Sequence, residues 1–221
     1  MKKGVCPICF KNIYEEIDIS SIISFNKVIC DKCLKKFKVI DKVTTFYGVS
    51  IHYLYEYNTF LKSLLYQFKG CYDVELKDVF LYKFKNKIRL KYFNYIVIYP
   101  PSNEIDNIER GFKHMEKMIE CLKMKTVNMF YKNKEYKQSD HKYKDRHLIS
   151  NVIEIDKRLI NPYKKYLIID DIFTSGSTIK TIINLLVKNK VKKENIKVII
   201  IGKTADNVEL WWTIFIYILV V

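Results

Sequence analysis

The sequence is short of the residues that interrupt a fold. Its 221 positions hold six glycines, four prolines and a single alanine. No low-complexity linker and no internal repeat breaks the chain. Acidic residues are scarce relative to basic ones, 24 against 39, which leaves a formal charge of +15. Only four of the basic residues are arginines. No apolar run reaches the ~18 residues that a membrane span requires. No secretory signal is present either, since Met1-Lys2-Lys3 leads almost directly into Cys6. Both absences predict a cytoplasmic protein. Histidine is rare, with four residues, and none stands in a Cys/His or Ser/His/Asp spacing. His52 falls in a strand, His114 in a helix, and His141 and His147 in or beside a polar loop. Each reads as solvated or packed rather than as a base.

Apolar residues make up 49% of the chain, enough for one α/β domain with a full core and a small appendage. The positive charge favours an anionic partner such as nucleic acid. A Lys-, Ile-, Asn- and Tyr-rich bias can be genome-wide, so the charge carries modest weight.

Cysteines come in two spaced pairs. Cys6-Pro-Ile-Cys9 is followed after twenty residues by Cys30-Asp-Lys-Cys33. Each pair turns back to offer two sulfurs to one tetrahedral metal, the spacing of a four-thiolate zinc site. A redox site needs only one pair, and a reducing cytosol disfavours two disulfides. A structural Zn²⁺ on Cys6, Cys9, Cys30 and Cys33 is therefore expected, with Lys27, Lys32, Lys35 and Lys36 balancing the thiolate charge. Cys71 and Cys121 lie outside the pattern.

The densest chemical signal is Tyr166-Leu-Ile-Ile-Asp170-Asp171-Ile-Phe-Thr174-Ser175-Gly176-Ser177-Thr178. Leu167 to Ile169 read as a buried strand with two carboxylates at its end. From Ile179, apolar residues at Ile182, Ile183, Leu186 and Val187 follow helical spacing. A strand, a turn of small hydroxyl residues and a helix start make a phosphate site, because unpaired N–H groups and the helix dipole point at the anion. The carboxylates repel phosphate but can accept hydrogen bonds from vicinal hydroxyls, which points to a sugar phosphate. A plain helix cap would not call for paired acids and a central glycine. No Gly-Lys-Ser/Thr follows, so this is not a Walker A loop.

Elsewhere, Val43 to Tyr55 reads as a hairpin around Gly48, Asn58 to Gly70 as a helix, and Val74 to Lys85 as a second helix. Tyr95 to Tyr99 reads as a strand stopped by Pro100-Pro101. Arg110-Gly111-Phe112 is expected to open a helix carrying Met115, Met118, Ile119 and Leu122. Thr126 to Tyr131 and Asn151 to Ile155 read as short strands, and Lys197 to Ile201 as the last parallel strand. Lys132 to Arg146 is almost entirely polar, the composition of a mobile surface loop.

The segment around Asp170 and Asp171 resembles the phosphoribosyl-pyrophosphate (PRPP) loop of type I phosphoribosyltransferases. That resemblance implies that Asp170 and Asp171 hold the ribose hydroxyls and that Thr174, Ser175, Gly176, Ser177 and Thr178 hold the 5′-phosphate, with Mg²⁺ accompanying PRPP. The order of a four-cysteine ribbon, a Tyr-rich hairpin, Phe68-Lys69-Gly70, a strand ending in proline, Arg110-Gly111-Phe112, Gln138 to Arg146 and the acid-pair loop resembles the ComF family. The resemblance covers residues 1 to about 205. It implies an α/β fold: a type I phosphoribosyltransferase-like parallel sheet with helices on both faces at residues 43–221, and a zinc ribbon at residues 1–42. In such a fold the polar loop could close over the ligand. Arg110 and Arg146 become the candidate pyrophosphate or anion contacts. The implied role is DNA uptake in natural transformation, with single-stranded DNA and a competence helicase of the ComFA type as partners. The alternatives are an active Mg²⁺-dependent phosphoribosyltransferase acting on a nucleobase or amine, and a scaffold with a vestigial pocket. Two departures stand out. Glu104, Asp106 and Glu109 lie where the family has a basic stretch, which argues against pyrophosphate binding and turnover. Lys113-His114 follow Arg-Gly-Phe in place of Asn-Gln.

The uncharged tail at 210–221 is too short to span a membrane and favours a strand. Its sharper reading is a partner-binding segment or a contact with the inner face of the membrane.

Overall fold

A computed structural model describes residues 4–13, 27–132 and 153–204 of the chain. The expected hairpin is present as β1 (Val39–Phe46) and β2 (Val49–Glu56). Its two-residue turn, Tyr47-Gly48, has φ of 50° and 75°, the doubly left-handed geometry that matches the twist of the flanking strands. With β3 (Tyr95–Ile98), β6 (Lys165–Phe173) and β7 (Ile196–Lys203), the hairpin builds a sheet of order β1-β2-β7-β6-β3. β2, β7, β6 and β3 are mutually parallel, and β1 alone is antiparallel. β4 (Phe130–Lys132) and β5 (Ile153–Ile155) form a separate antiparallel pair.

Among the described residues the α-helices are α1 (Asp31–Leu34), α2 (Thr59–Gly70), α3 (Lys85–Lys91), α4 (Glu104–Arg110), α5 (His114–Ile119) and α6 (Ser177–Lys188). Leu167 and Ile169 of β6 pack on one face with Leu61, Leu64, Leu65 and Phe68 of α2. Ile168 packs on the other face with Ile179, Ile182, Ile183 and Leu186 of α6. Both faces of β6 are therefore covered, which is why its sequence is a continuous apolar run rather than an alternation. The expectation of a mostly parallel sheet with helices on both faces is met.

The described residues of the cysteine segment pack into the core of the sheet rather than forming their own. Cys6, Ile13, Ile29, Cys33 and Phe37 pack in one cluster with Leu54 and Tyr55 of β2 and with α2. A bulge at Asp41 (φ 44°) brings its carboxylate to the buried His52 Nε2 at 2.6 Å and to Lys87 Nζ at 2.7 Å, tying the hairpin to α3.

Three local expectations change. Val74 to Lys85 is not one helix but a 3₁₀ turn (Val74–Asp78) and further turns before α3. Val79, Phe80 and Leu81 are all buried, and three consecutive residues cannot share one face of a surface helix. Arg110 ends a helix rather than opening one. Gly111, at φ 77°, caps α4 by donating its N–H to the carbonyls of Asn107 and Ile108, and α5 begins afresh at His114. β6 also runs past the acid pair to Phe173.

The predicted loop beyond Lys132, including Arg146, His141 and His147, lies outside the described residues, as does the apolar tail at 210–221. No helix among the described residues is long and apolar enough to cross a membrane.

Candidate functional site

β6 carries Asp170 and Asp171 to the carboxyl edge of the sheet, and the chain then turns through Thr174–Gly176 into α6. Gly176 is buried and left-handed at φ 73°. A Cβ there would lie 2.6 Å from Phe173 Cζ and 2.6 Å from Phe46 Cζ, so the loop is pressed onto two rings that stack edge-on at 5.2 Å. Thr174, Ser175 and Ser177 stay exposed and Thr178 is half-buried. Ser175 Oγ donates to Ser177 Oγ at 3.1 Å and accepts the Ser177 N–H at 3.3 Å. The N-cap residue Gly176 has no side chain to cap α6, so beyond the Ser177 N–H no side chain of the cap meets its first turn. A missing cap costs about 1 kcal/mol, whereas four buried aliphatic side chains stabilise the helix by about 2 kcal/mol each. The helix therefore holds with its first N–H groups turned to the loop, where an anion can meet them.

The acids are not bare. Asp170 Oδ1 accepts the Asp171 N–H at 2.9 Å, and Asp171 Oδ1 accepts the Ile172 N–H at 2.7 Å. Asp171 is buried and ion-paired with Lys69 at the end of α2, and His114 Nε2 lies 3.7 Å from the same Oδ2. Asp170 is half-buried; desolvation lifts its carboxyl to about 7, against the pull of the Lys69 charge. Burial likewise lowers Lys69 to about 8, opposed by Asp170 and aided by Arg110. Burial, then the charges of Lys69, Arg110 and Lys132, hold the His114 imidazole down at about 2.

Arg110, expected as an anion contact, faces this cluster. Its Nε donates to the Lys69 carbonyl at 2.9 Å, its Nη1 is 3.3 Å from His114 Nδ1, and its guanidinium lies over Phe112 at 5.8 Å. Glu104, Asp106 and Glu109 are exposed on α4. Glu104 and Asp106 occupy the helix's first turn behind the Asn103 cap, where negative charge complements the dipole. That gives the acidic stretch a structural reason and leaves Lys69, Arg110 and His114 as the groups at the acid pair. Lys69 and His114 were missed as site residues. The available signals were positional: Lys69 follows Leu65 by four residues at the margin of the apolar stripe of α2, and His114 follows Arg110 by four.

At the N-terminal end, the sulfurs of Cys6, Cys9, Cys30 and Cys33 lie within 4.8 Å of one another, and Cys9 and Cys30 Sγ are 3.7 Å apart. A zinc bound at about 2.3 Å by four thiolates places its sulfurs about 3.8 Å apart, so the donor set fits a tetrahedral Zn²⁺. A disulfide would need about 2 Å. The expected charge balance from lysines is not seen at two of them. Lys27 pairs with Asp31 at 2.8 Å, and Lys36 lies over the Phe60 ring at 5.7 Å.

No family model matches the chain. Competence protein ComFC of Streptococcus pneumoniae is 28% identical over 139 residues, covering 63% of this chain. The match spans 62% of that protein, just under two thirds of its length. Among solved structures, an APRTase from Giardia lamblia complexed with 9-deazaadenine is 15% identical. It aligns over 76% of this chain and 95% of its own, with a TM-score of 0.36. A purine phosphoribosyltransferase from Pyrococcus horikoshii Ot3 is 18% identical, over 58% and 83%, with a TM-score of 0.33. Superpositions this distant carry no weight for the fold, which rests on the sheet topology described above.

Proposed function

We propose that the chain binds a phosphoribosyl ligand, PRPP or a related nucleotide phosphate, at the carboxyl edge of β6. Asp170 and Asp171 take the ribose hydroxyls, and the Thr174, Ser175, Gly176, Ser177 and Thr178 loop takes the 5′-phosphate. The observation that carries this reading is the Gly176 turn, which leads from the acid pair straight into a helix start whose N-cap has no side chain and around which Thr174, Ser175 and Ser177 are exposed. From the similarity to a competence protein, we further propose a role in DNA uptake, with single-stranded DNA and a helicase of the ComFA type as partners, at the cytoplasmic side of the membrane. Arg146 remains a candidate anion contact and the cysteine site is assigned structural Zn²⁺; the expected boundary near residue 42 falls within β1, so the cysteine segment joins the ligand-binding domain through a shared strand and core.

An active phosphoribosyltransferase is the second reading. What favours it is the exposure of the α4 acids, while Lys69 stands at the acid pair with Arg110 on its carbonyl, where charge released with pyrophosphate would need cations.

Calorimetric titration with PRPP and with single-stranded DNA tests these readings. PRPP binding is expected in the wild type and should weaken at least about tenfold in Asp171→Asn, which loses a charged hydrogen-bond acceptor. DNA affinity should fall with salt as counterions are released. Wild type that binds no PRPP would remove the pocket reading, and pyrophosphate release in the same samples separates the enzyme from the binding protein.

A further inference from the structure

Mg²⁺ is the cation that a phosphoribosyltransferase-like reading brings to the acid pair, and the residues there do not fit it. Mg²⁺ demands a near-octahedral set of oxygens, with one or two carboxylates beside waters and substrate phosphates. Asp170 Oδ1 and Asp171 Oδ1 each accept a backbone N–H, at 2.9 and 2.7 Å, and Asp171 Oδ2 is paired with Lys69 Nζ.

Lys69 is positioned from three elements. It lies in the last turn of α2 beside the fully buried Phe68, and its side chain is only 26% exposed. Its carbonyl accepts Arg110 Nε from the end of α4, and Arg110 in turn meets His114 at the start of α5. The Lys69 ammonium thus faces the acid pair, and the Arg110 guanidinium stands behind it on the Lys69 carbonyl. A divalent ion added at the acid pair would meet like charge at short range, in surroundings that screen it poorly.

We propose that Lys69 is the resident cation of this site: its ammonium, backed by Arg110, does at the acid pair what a divalent metal would, and a phosphoribosyl ligand binds without Mg²⁺. The inference rests on the reading of the pocket as a phosphoribosyl site. An ammonium has three donors. One can stay on Asp171 while the others turn to oxygens of the ligand, and the Arg110 fork suits phosphate.

The test is titration of the full chain with PRPP in Mg²⁺-free buffer and in excess Mg²⁺, without a chelator that would strip the cysteine-bound metal. Wild-type affinity is expected to agree within about threefold between the two buffers, a difference well under 1.4 kcal/mol. Lys69→Gln should bind at least about tenfold more weakly in the Mg²⁺-free buffer, with part of the loss restored by Mg²⁺, while Lys69→Arg keeps most of the affinity. A wild type that needs Mg²⁺ overturns the proposal and leaves the pocket reading standing, and so does a Lys69→Gln protein that binds as wild type does without the metal. If Lys69→Gln does not fold, the wild-type comparison and Lys69→Arg still decide. Wild type that binds neither PRPP nor ribose 5-phosphate in either buffer marks failure of the pocket reading itself.

Discussion

At the residue scale, the acid pair shows how neighbours set the state of each group. His114 is covered by protein and surrounded by Lys69, Arg110 and Lys132, so its imidazole stays neutral far below the ordinary value of 6.5. A folded-state value below the unfolded one means that the histidine's contribution to stability is present above pH 6.5 and is lost as pH falls. Asp170 runs the other way. Raised to about 7, its contribution is full below about pH 3.8 and is lost as pH rises through 7. A bare pH scan of the wild type mixes the two, so the comparison must be with His114→Gln. The stability advantage of wild type over His114→Gln should shrink by about 1 kcal/mol between pH 6.5 and 5.5. Urea midpoints of both proteins at the two pH values check this; an advantage that stays flat or grows would show that His114 is not held neutral.

At the element scale, the loop into α6 depends on one residue without a side chain. Gly176 is left-handed, and a Cβ would drive into Phe173 and Phe46 at 2.6 Å. Left-handed strain and overpacking act together, so Gly176→Ala should destabilise the chain by about 3 kcal/mol. The same change pushes the loop off its two rings and should weaken PRPP binding more than any single hydroxyl deletion there, for example Ser175→Ala. Thermal unfolding and titration of the two variants would show it. α4 illustrates the opposite case, in which residues that look functional serve the element: Glu104 and Asp106 complement the helix start.

At the scale of the whole molecule, the cysteine cluster and the sheet share a hydrophobic core. Cys6 and Cys33 are buried with Phe37, Leu54 and Tyr55, and Phe37 packs on the Tyr55 ring at 4.8 Å. Loss of a metal at the cluster should therefore be felt in the sheet rather than unravel a separate knob. Purified protein should carry one zinc per chain. Cys30→Ser should lower both the zinc content and the melting temperature, the latter by about 10 °C, the shift of roughly 3 kcal/mol in a chain of this size. Unchanged melting with the zinc gone would mean that the cluster does not support the core.

Much of this was legible from order and spacing alone. The Leu167–Ile169 run, the glycine-centred turn and the 3.6-residue period after Ile179 each encode a local preference, and local preferences agree with the fold there. The paired cysteines encode a ligand set by spacing. Helix boundaries around Gly111 and in the Val74–Phe84 stretch were less legible. In the first a glycine caps two helices apart, and in the second consecutive apolar residues are buried from several sides.

The sequence by itself determined the parallel β6–α6–β7 unit, the acid pair, the small-residue loop and the four thiols, because the first three are written in one continuous stretch and the thiols in two pairs of fixed spacing. Only the tertiary structure decided what faces the acids. Lys69, Arg110 and His114 come from the ends of three separate helices, and none of their spacings along the chain reports that Asp171 lies between them. The sign of charge at the site was likewise a matter of orientation. The acids of α4 and Arg110 are neighbours in sequence, but Glu104, Asp106 and Glu109 are exposed while Arg110 turns to the Lys69 carbonyl and His114.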